Sequence, residues 1–78
     1  MSSMETSITR FGEKVRLLRQ REELTLQQLA ERIGLHAHGY LSEIENGKKQ
    51  PTVELTLRLA KLFNVTTDEL LKDEQDVK

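Results

Sequence analysis

The sequence of 78 residues contains no cysteine. The chain therefore forms no disulfide, offers no thiol nucleophile and lacks the common zinc-binding motifs, which is compatible with a reducing compartment. No apolar run approaches the roughly 20 residues that a membrane span requires. The opening residues MSSMETSITR also lack the apolar core of a signal peptide. These absences predict a cytoplasmic protein with no membrane partner.

Aromatic residues are scarce as well, since tryptophan is absent and there are one tyrosine and two phenylalanines. With a hydrophobic share of 36%, a chain of this length can build one small aliphatic core, which suits a compact helical bundle. There is no glycine-rich phosphate loop, and His36 and His38 lack the third and fourth ligands that a metal site needs. We therefore predict an all-α protein that is not an enzyme and holds no metal or cofactor.

Charge is distributed unevenly along the chain. The net charge is −1, although basic domains are the usual electrostatic signature of nucleic-acid binding. Residues 10–63 nevertheless carry three more basic than acidic side chains, whereas residues 64–78 carry a net charge of −3. A mildly basic body with an acidic end is consistent with DNA binding but does not by itself favour DNA binding over other functions.

Apolar periodicity and capping residues predict two helices in the first half of the chain. Helix 1 should run from Thr9 to Glu22, with an apolar face and a basic face that we expect to be solvated. Helix 2 follows Thr25, which has capping-box spacing to Gln28, and ends at Gly34. The expected inward residues are Ile8, Phe11, Val15, Leu18, Leu29, Ala30 and Ile33, and the basic face of helix 1 consists of Arg10, Lys14, Arg16, Arg19 and Arg21.

Helix 3 is predicted from Ala37 to Glu45, with Leu41 and Ile44 facing inward. Its start carries no strong capping residue.

The first seven residues and residues 73–78 are predicted to be disordered tails, the second of them acidic. This leaves one domain over residues 8–72.

Helix 4 should begin after Thr52 and end at Asn64, and helix 5 should open at Thr66 or Thr67. Helix 4 has two apolar stripes, and such a helix needs two partners. We expect one stripe to face the core and the other to form the seam of a homodimer, although helix 5 alone could cover it. The core stripe is Val53, Leu57 and Ala60, beside Phe63, and the dimer stripe is Leu55, Leu59 and Leu62.

The stretch from Leu24 to Pro51 consists of a predicted helix, a tight turn and a second helix, a unit that can place one helix in the major groove of DNA. The motif residues in and after it are Leu24, Thr25, Leu29, Ala30, Gly34, Tyr40, Leu41, Ser42, Ile44, Glu45, Asn46, Gly47, Lys48, Pro51, Leu59, Ala60, Phe63, Val65 and the stretch 68–71. Over residues 10–71 they resemble the helix-turn-helix domain of phage repressors and Cro, the XRE family.

The resemblance implies a lambda-repressor-like domain of five helices that binds double-stranded DNA as a homodimer on a palindromic operator, with helix 3 as the recognition helix. It implies a repressor-like transcriptional regulator at the nucleoid of a prokaryote or a phage-infected cell. It also implies an ion pair between Arg19 and Glu45, which a guanidinium can bridge bidentately. With no small-molecule domain in the sequence, control is expected through concentration or a regulatory protein partner.

Two positions depart from the family pattern. Leu26 occupies the place where most relatives have a glutamine that contacts phosphate, so this role passes to Gln27 or Gln28 or has no counterpart. The spacing from Gly34 to Glu45 is one residue longer than in the family. The extra residue either lengthens the turn or puts a bulge in helix 3.

Base edges are expected to meet the start and outward face of helix 3. Phosphates are expected at the N-terminus of helix 2 and in the loop after helix 3, where backbone amides and lysines attract anions. The predicted base-reading residues are His36, Ala37, His38, Gly39, Ser42 and Glu43. The predicted phosphate contacts are Thr25, Gln27, Gln28, Tyr40, Asn46, Gly47, Lys48 and Lys49, with backbone amides as donors at Asn46 and Gly47.

A rival hypothesis keeps the fold but assigns it to protein binding, as an antitoxin-like or coactivator-like module. The near-zero net charge and the second apolar stripe of helix 4 favour it. Both features are also expected of a dimeric DNA-binding protein. A salt-dependent mobility shift would separate the two hypotheses.

Overall fold

A computed structural model of the chain describes residues 10–35 and 38–77, except for the side chain of His38. Over these residues the protein consists of five α-helices and contains no strand. The helices are α1 (Phe11–Arg21), α2 (Leu26–Arg32), α3 (His38–Glu45), α4 (Val53–Phe63) and α5 (Thr67–Leu71). The all-α fold class is confirmed.

The capping residues set the helix ends as predicted. Thr25 Oγ1 accepts a hydrogen bond from the Gln28 amide at 3.0 Å, and the Gln28 side chain accepts one from the Thr25 amide at 2.8 Å. Thr66 and Glu69 form the same reciprocal capping box before α5. Asn64 ends α4 in the left-handed region, at φ 57°. Local chemistry therefore determines where these helices begin and end.

One aliphatic core joins the helices. Helices α1 and α2 both pack against α3, while α5 packs against α1 and α4. The largest fully buried apolar side chains are Phe11, Val15, Leu29, Leu41, Ile44, Leu59 and Leu70. The third helix is thus held on its inward side by two other helices.

Gly12 allows α1 to approach the end of α3 closely. A Cβ atom at this position would lie 2.5 Å from the carbonyl oxygen of Glu45 and still closer to that of Ile44. These neighbours are backbone atoms, which cannot move aside as a flexible side chain can. The absence of a side chain at Gly12 is therefore a condition of the α1–α3 packing.

The prediction of which apolar stripe of α4 faces the core is wrong. Leu55 is 4% exposed and Leu59 is fully buried, so the stripe expected at a dimer seam lies in the core of the single chain. Val53 is 78% exposed and Leu57 56% exposed, although both were expected to face inward. Leu62 is partly buried against the core.

Thr56 explains the reversal. Its side chain is buried beside the buried Leu55, and its Oγ1 donates a hydrogen bond to the carbonyl oxygen of Thr52 at 2.8 Å. Because the helix itself satisfies the hydroxyl, a threonine can occupy a core position. Ala60 is buried as predicted. The inward face therefore contains a polar residue type that a hydrophobicity pattern assigns to the surface.

The prediction of a disordered C-terminal tail is wrong for residues 73–77. The Arg10 amide donates to Asp73 Oδ1, and Arg10 Nη1 donates to the Asp73 carbonyl oxygen, both at 2.9 Å. Arg10 Nη2 also pairs with Asp76 Oδ1 at 3.1 Å. Val77 is buried in the core. The acidic segment therefore packs back onto the start of α1, whereas residues 1–9 and 78 lie outside the described part of the chain.

Lys14 departs from the expected solvated basic face of α1. Its side chain is almost fully buried, and Nζ donates to the carbonyl oxygens of Glu69, at 2.7 Å, and Lys72. These carbonyls belong to the C-terminal end of α5, where a cation is favoured. Burial, followed by the nearby charge of Arg10, lowers the pKa of Lys14 below its ordinary value.

A helix needs roughly 20 apolar residues to cross the hydrocarbon core of a bilayer. Among the described residues, no helix is long and apolar enough to do so.

Candidate nucleic-acid interface

The predicted helix-turn-helix unit is formed by α2 and α3. Gly34 follows α2 in the left-handed region, at φ 80°, which lets the chain leave the helix sharply. Helix α3 is a regular α-helix from His38 to Glu45. No bulge therefore interrupts α3 from His38 to Glu45, while residues 36 and 37, between the two helices, lie outside the described part of the chain.

The outward side of α3 is open to a partner. Gly39 is exposed, and among the described residues no atom beyond its chain neighbours and its own helix backbone lies within 4 Å of the place where its Cβ would be. Ser42 and Glu43 are partly exposed on the same helix, while Leu41 and Ile44 face the core. His36 and Ala37 lie outside the described residues, as does the side chain of His38.

The N-terminus of α2 offers fewer free groups than its sequence implies. The oxygens of Thr25 and Gln28 that could meet a partner are already engaged in the capping box. Leu26, the first residue of α2, is partly buried and packs against the core. Gln27 remains exposed.

The backbone amides after α3 are not free donors, which corrects the expectation for Asn46 and Gly47. The Asn46 amide bonds to the Ser42 carbonyl at 3.0 Å, and the Gly47 amide bonds to the Ile44 carbonyl at 3.1 Å. Gly47 has φ 75°, so the chain folds its amides back onto the end of the helix. The amides of Asn46 and Gly47 are therefore engaged within the chain, and at these two positions only the Asn46 side chain can offer a donor to a phosphate.

Side chains that suit a phosphate do cluster at this loop. Lys48 and Lys49 are exposed directly after α3, and the Asn46 side chain is exposed beside them. Tyr40 is partly buried, with its ring packed against the core cluster. Exposed ammonium and amide groups are common partners of DNA phosphates.

A buried carboxylate fixes the end of α3 to α1. Arg19 Nε donates to Glu45 Oε2 at 2.7 Å, and Arg19 Nη2 donates to Glu45 Oε1 at 3.1 Å, so the pair is bidentate. Arg19 Nη1 also donates to the carbonyl oxygen of Leu24, before α2. The Glu45 side chain is only 2% exposed. Its hydrogen bond raises the pKa of Arg19 above the ordinary value.

Arg16, which was predicted to lie on the solvated basic face of helix 1, also contacts Glu45 and the neighbouring Asn46. Its Nε donates to Glu45 Oε1 at 3.3 Å, and its Nη2 donates to Asn46 Oδ1 at 2.7 Å. Arg16 and Arg19 are three residues apart and therefore lie on one side of α1. From that spacing and the expected Arg19–Glu45 pair, the contact between Arg16 and Glu45 could have been predicted.

In the described part of the chain, no group of three or more His, Asp or Glu side chains is arranged to hold a metal ion. The site therefore consists of a helix with an open face, a lysine-bearing loop and an arginine-held carboxylate behind them. Its described side chains offer hydrogen-bond donors and positive charge.

Comparison with protein families identifies the class. A helix-turn-helix family model, HTH_3, matches residues 15–70. The chain therefore belongs to this family, the XRE family of DNA-binding transcriptional regulators.

Individual relatives include both an activator and a repressor. The chain is 40% identical over 65 residues to the HTH-type transcriptional activator BcrR of Enterococcus faecalis, covering 83% of this chain and 31% of that protein. It is 34% identical over 65 residues to the cryptic phage CTXphi transcriptional repressor RstR of Vibrio cholerae, covering 83% of this chain and 58% of that protein. The chain thus spans about a third to three-fifths of the length of these relatives.

The fold is also similar to that of the P22 c2 repressor, whose structure was solved in complex with a synthetic operator. The TM-score is 0.74 at 27% sequence identity, and the match covers 80% of this chain and 92% of the repressor chain.

Proposed function

We propose that this chain is a sequence-specific DNA-binding transcriptional regulator that inserts α3 into the major groove. The observation that carries the proposal is the exposed outward side of α3 on a helix whose opposite side packs against α1 and α2. A recognition helix needs both features, since base contacts require access and fixed geometry. The family membership and the operator complex of the P22 c2 repressor support the same conclusion.

The proposed contacts divide into two groups. Base edges meet the start and outward side of α3, where Ser42 can bond to several bases and Glu43 can accept from the cytosine amine. His36, Ala37, His38 and Gly39 complete this group as proposals. Phosphates meet the side chains of Gln27, Asn46, Lys48 and Lys49, with Thr25, Gln28 and Tyr40 as further proposals.

A selection of binding sites from random DNA tests this assignment. The wild type should enrich a consensus, and Ser42→Ala or Glu43→Ala should relax the preference at one position by roughly 1–3 kcal/mol against the wrong base. Leu17→Ala, on the exposed side of α1, is the control and should keep the consensus. An identical consensus from all variants would contradict the placement of α3 in the groove.

We also propose a homodimer, but with a different seam from the one the sequence suggested. Val53 and Leu57 form an exposed apolar surface on α4, beside a groove that Pro51, Thr67 and Leu71 help to line. A second copy related by a two-fold axis would bury this surface and present two α3 helices to successive half-sites, roughly 34 Å apart on a palindromic operator. This interface replaces the buried Leu55 and Leu59.

Sedimentation of the free protein tests the dimer. Leu57→Glu should shift the population towards monomer, because it places a charge in an apolar seam. Leu17→Glu is a matched control, since Leu17 is exposed to a similar degree on another helix. A wild-type monomer at high concentration would refute a stable preformed dimer.

A further inference from the structure

We propose that Arg16 is a positioning residue of the DNA interface, which fixes the orientation of the Asn46 side chain and, through it, that of Ser42. The inference rests on the proposed DNA-binding function. It adds to that function a side chain on α1, outside the helix-turn-helix unit.

The shape of the Arg16 side chain determines where its donors point. A guanidinium is planar, and its donors form a rigid fork. Nε is directed at Glu45 Oε1, and Nη2 is directed at Asn46 Oδ1. Glu45 is itself held by two hydrogen bonds from Arg19. The position of the donor that meets Asn46 is thus set by the scaffold and not by the exposed loop.

This hydrogen bond determines which way the Asn46 amide faces. An asparagine side chain has one acceptor oxygen and one nitrogen with two donors. Because Arg16 engages Oδ1, the Nδ2 group must point to the other side, where it donates to Ser42 Oγ at 3.4 Å. Its second N–H is left for another acceptor. A DNA phosphate oxygen beside Lys48 is an acceptor of the required kind.

Ser42 is the last link in this chain of hydrogen bonds. Its Oγ accepts from Asn46, which leaves the hydroxyl proton able to donate outward. Acceptors in the major groove include guanine O6 and N7, adenine N7 and thymine O4. Arg16 therefore acts on both parts of the interface, the phosphate contact of Asn46 and the base contact of Ser42.

If Arg16 had a purely structural role, Glu45 would need Arg16 as its ion-pair partner. The Arg16 side chain is 45% exposed, whereas that of Arg19 is 15% exposed and bonds to both Glu45 oxygens. Glu45 therefore stays paired when Arg16 is changed. An Arg16 variant should fold, and its main defect should be in DNA binding.

The test is a double-mutant cycle of Arg16→Lys with Asn46→Ala, measured by binding to the selected DNA site at constant salt. Lysine keeps the charge but cannot reach Glu45 and Asn46 with a fixed fork. Arg16→Lys should weaken binding roughly 3- to 10-fold, as expected for the loss of one hydrogen bond. In the Asn46→Ala background the same change should have no further effect. Lys61→Arg, the reverse exchange at an exposed site on α4, should leave binding unchanged.

Two further measurements separate the proposal from its alternatives. The consensus selected by Arg16→Lys should lose preference at the same position as that of Ser42→Ala, which a change in stability alone would not produce. The melting temperature of Arg16→Lys should fall much less than that of Arg19→Lys. An equal fall would assign Arg16 a structural role and overturn the proposal.

The proposal and the function on which it rests fail in different ways. Wild-type binding that Arg16→Lys leaves intact, or an equal loss in both backgrounds of the cycle, would overturn the positioning role alone. A wild type that binds no DNA fragment would overturn the proposed function and this inference together.

Discussion

Two sides of α1 contact two different parts of the molecule, and the interactions on the two sides differ in kind. Gly12, Arg16 and Arg19 face the end of α3, where a helix backbone and a buried carboxylate meet α1. Arg10 and Lys14 face α5 and the C-terminal segment. Between the two sides runs the apolar row that enters the core.

The two sides of α1 differ in how much their charged groups stabilise the fold. On the α3 side, the Glu45 carboxylate is removed from water, so loss of its partner would leave a buried charge unpaired. On the other side, Arg10 pairs with exposed Asp76, and water screens such a pair. Lys14 lies between these extremes, because it is buried but bonds to neutral carbonyls. We therefore expect a graded series of effects.

The largest effect is expected for Gly12→Ala. The added methyl group would collide with the backbone of α3, and separating α1 from α3 would disrupt the core and the Arg19–Glu45 pair together. Thermal or urea unfolding should show a loss of about 3 kcal/mol or more. Gly39→Ala is the matched control, since open space surrounds Gly39 within a helix, and this variant should be as stable as the wild type or slightly more so. Equal stability of Gly12→Ala and wild type would show that α1 and α3 are farther apart.

Arg19→Ala comes next. It removes the bidentate partner of Glu45, and breaking a buried pair typically costs about 3–5 kcal/mol. We expect a value near the lower limit, because Arg16 remains within reach of the carboxylate. Lys72→Ala removes an exposed pair with Asp68 on α5 and should cost only about 0.3–0.5 kcal/mol. Overlapping urea curves for Arg19→Ala and wild type would mean that Glu45 is not held as a buried charge.

Lys14→Met should have an intermediate effect. Methionine can fill much of the same space but leaves the Glu69 and Lys72 carbonyls without their donor, at a cost of about 1–3 kcal/mol. The pKa of Lys14 is lowered in the folded protein, so the unfolded chain binds more protons as the pH approaches about 10.4. The stability of wild type relative to Lys14→Met should consequently rise over that alkaline range. An unchanged difference would argue against a buried lysine.

The smallest effect is expected for Arg10→Ala. Its contacts with Asp73 and Asp76 are partly exposed, so the loss of stability should be smaller than for Lys14→Met. The difference from wild type should shrink between about 0.1 M and about 1 M salt, as screening increases. A salt-independent difference as large as that of Arg19→Ala would remove the distinction between the two sides of α1.

The parts of the fold that the sequence predicts correctly depend on neighbouring residues. Thr25, Thr66 and Asn64 act through atoms a few positions away, so their capping roles can be inferred without knowing the rest of the structure. The motif spacing likewise locates the helix-turn-helix unit. The Arg19–Glu45 contact followed from resemblance rather than from local chemistry, since the residues are 26 positions apart.

The features that the sequence does not predict depend on partners far away in the chain, or on polar groups whose hydrogen bonds are made inside the fold. Lys14 has the pattern of a surface residue because its acceptors are more than 50 positions away. Thr56 has the pattern of a surface residue because its internal hydrogen bond is invisible to a hydrophobicity pattern. The amides of Asn46 and Gly47 were expected to be free, yet the left-handed turn at Gly47 directs them into the helix end. In the candidate site, residue identity was therefore easier to predict than which atoms remain available.

In the proposed complex, the loop after α3 and its neighbouring side chains face DNA phosphates. The most direct test is the salt dependence of binding for Lys48→Glu and Lys49→Glu, with Lys61→Glu on α4 as a control of equal charge change. Each loop variant should bind more weakly than the wild type, and the slope of log K against log salt should flatten by about 0.9 for each phosphate that the variant no longer neutralises. Slopes and affinities equal to those of Lys61→Glu would contradict the claim.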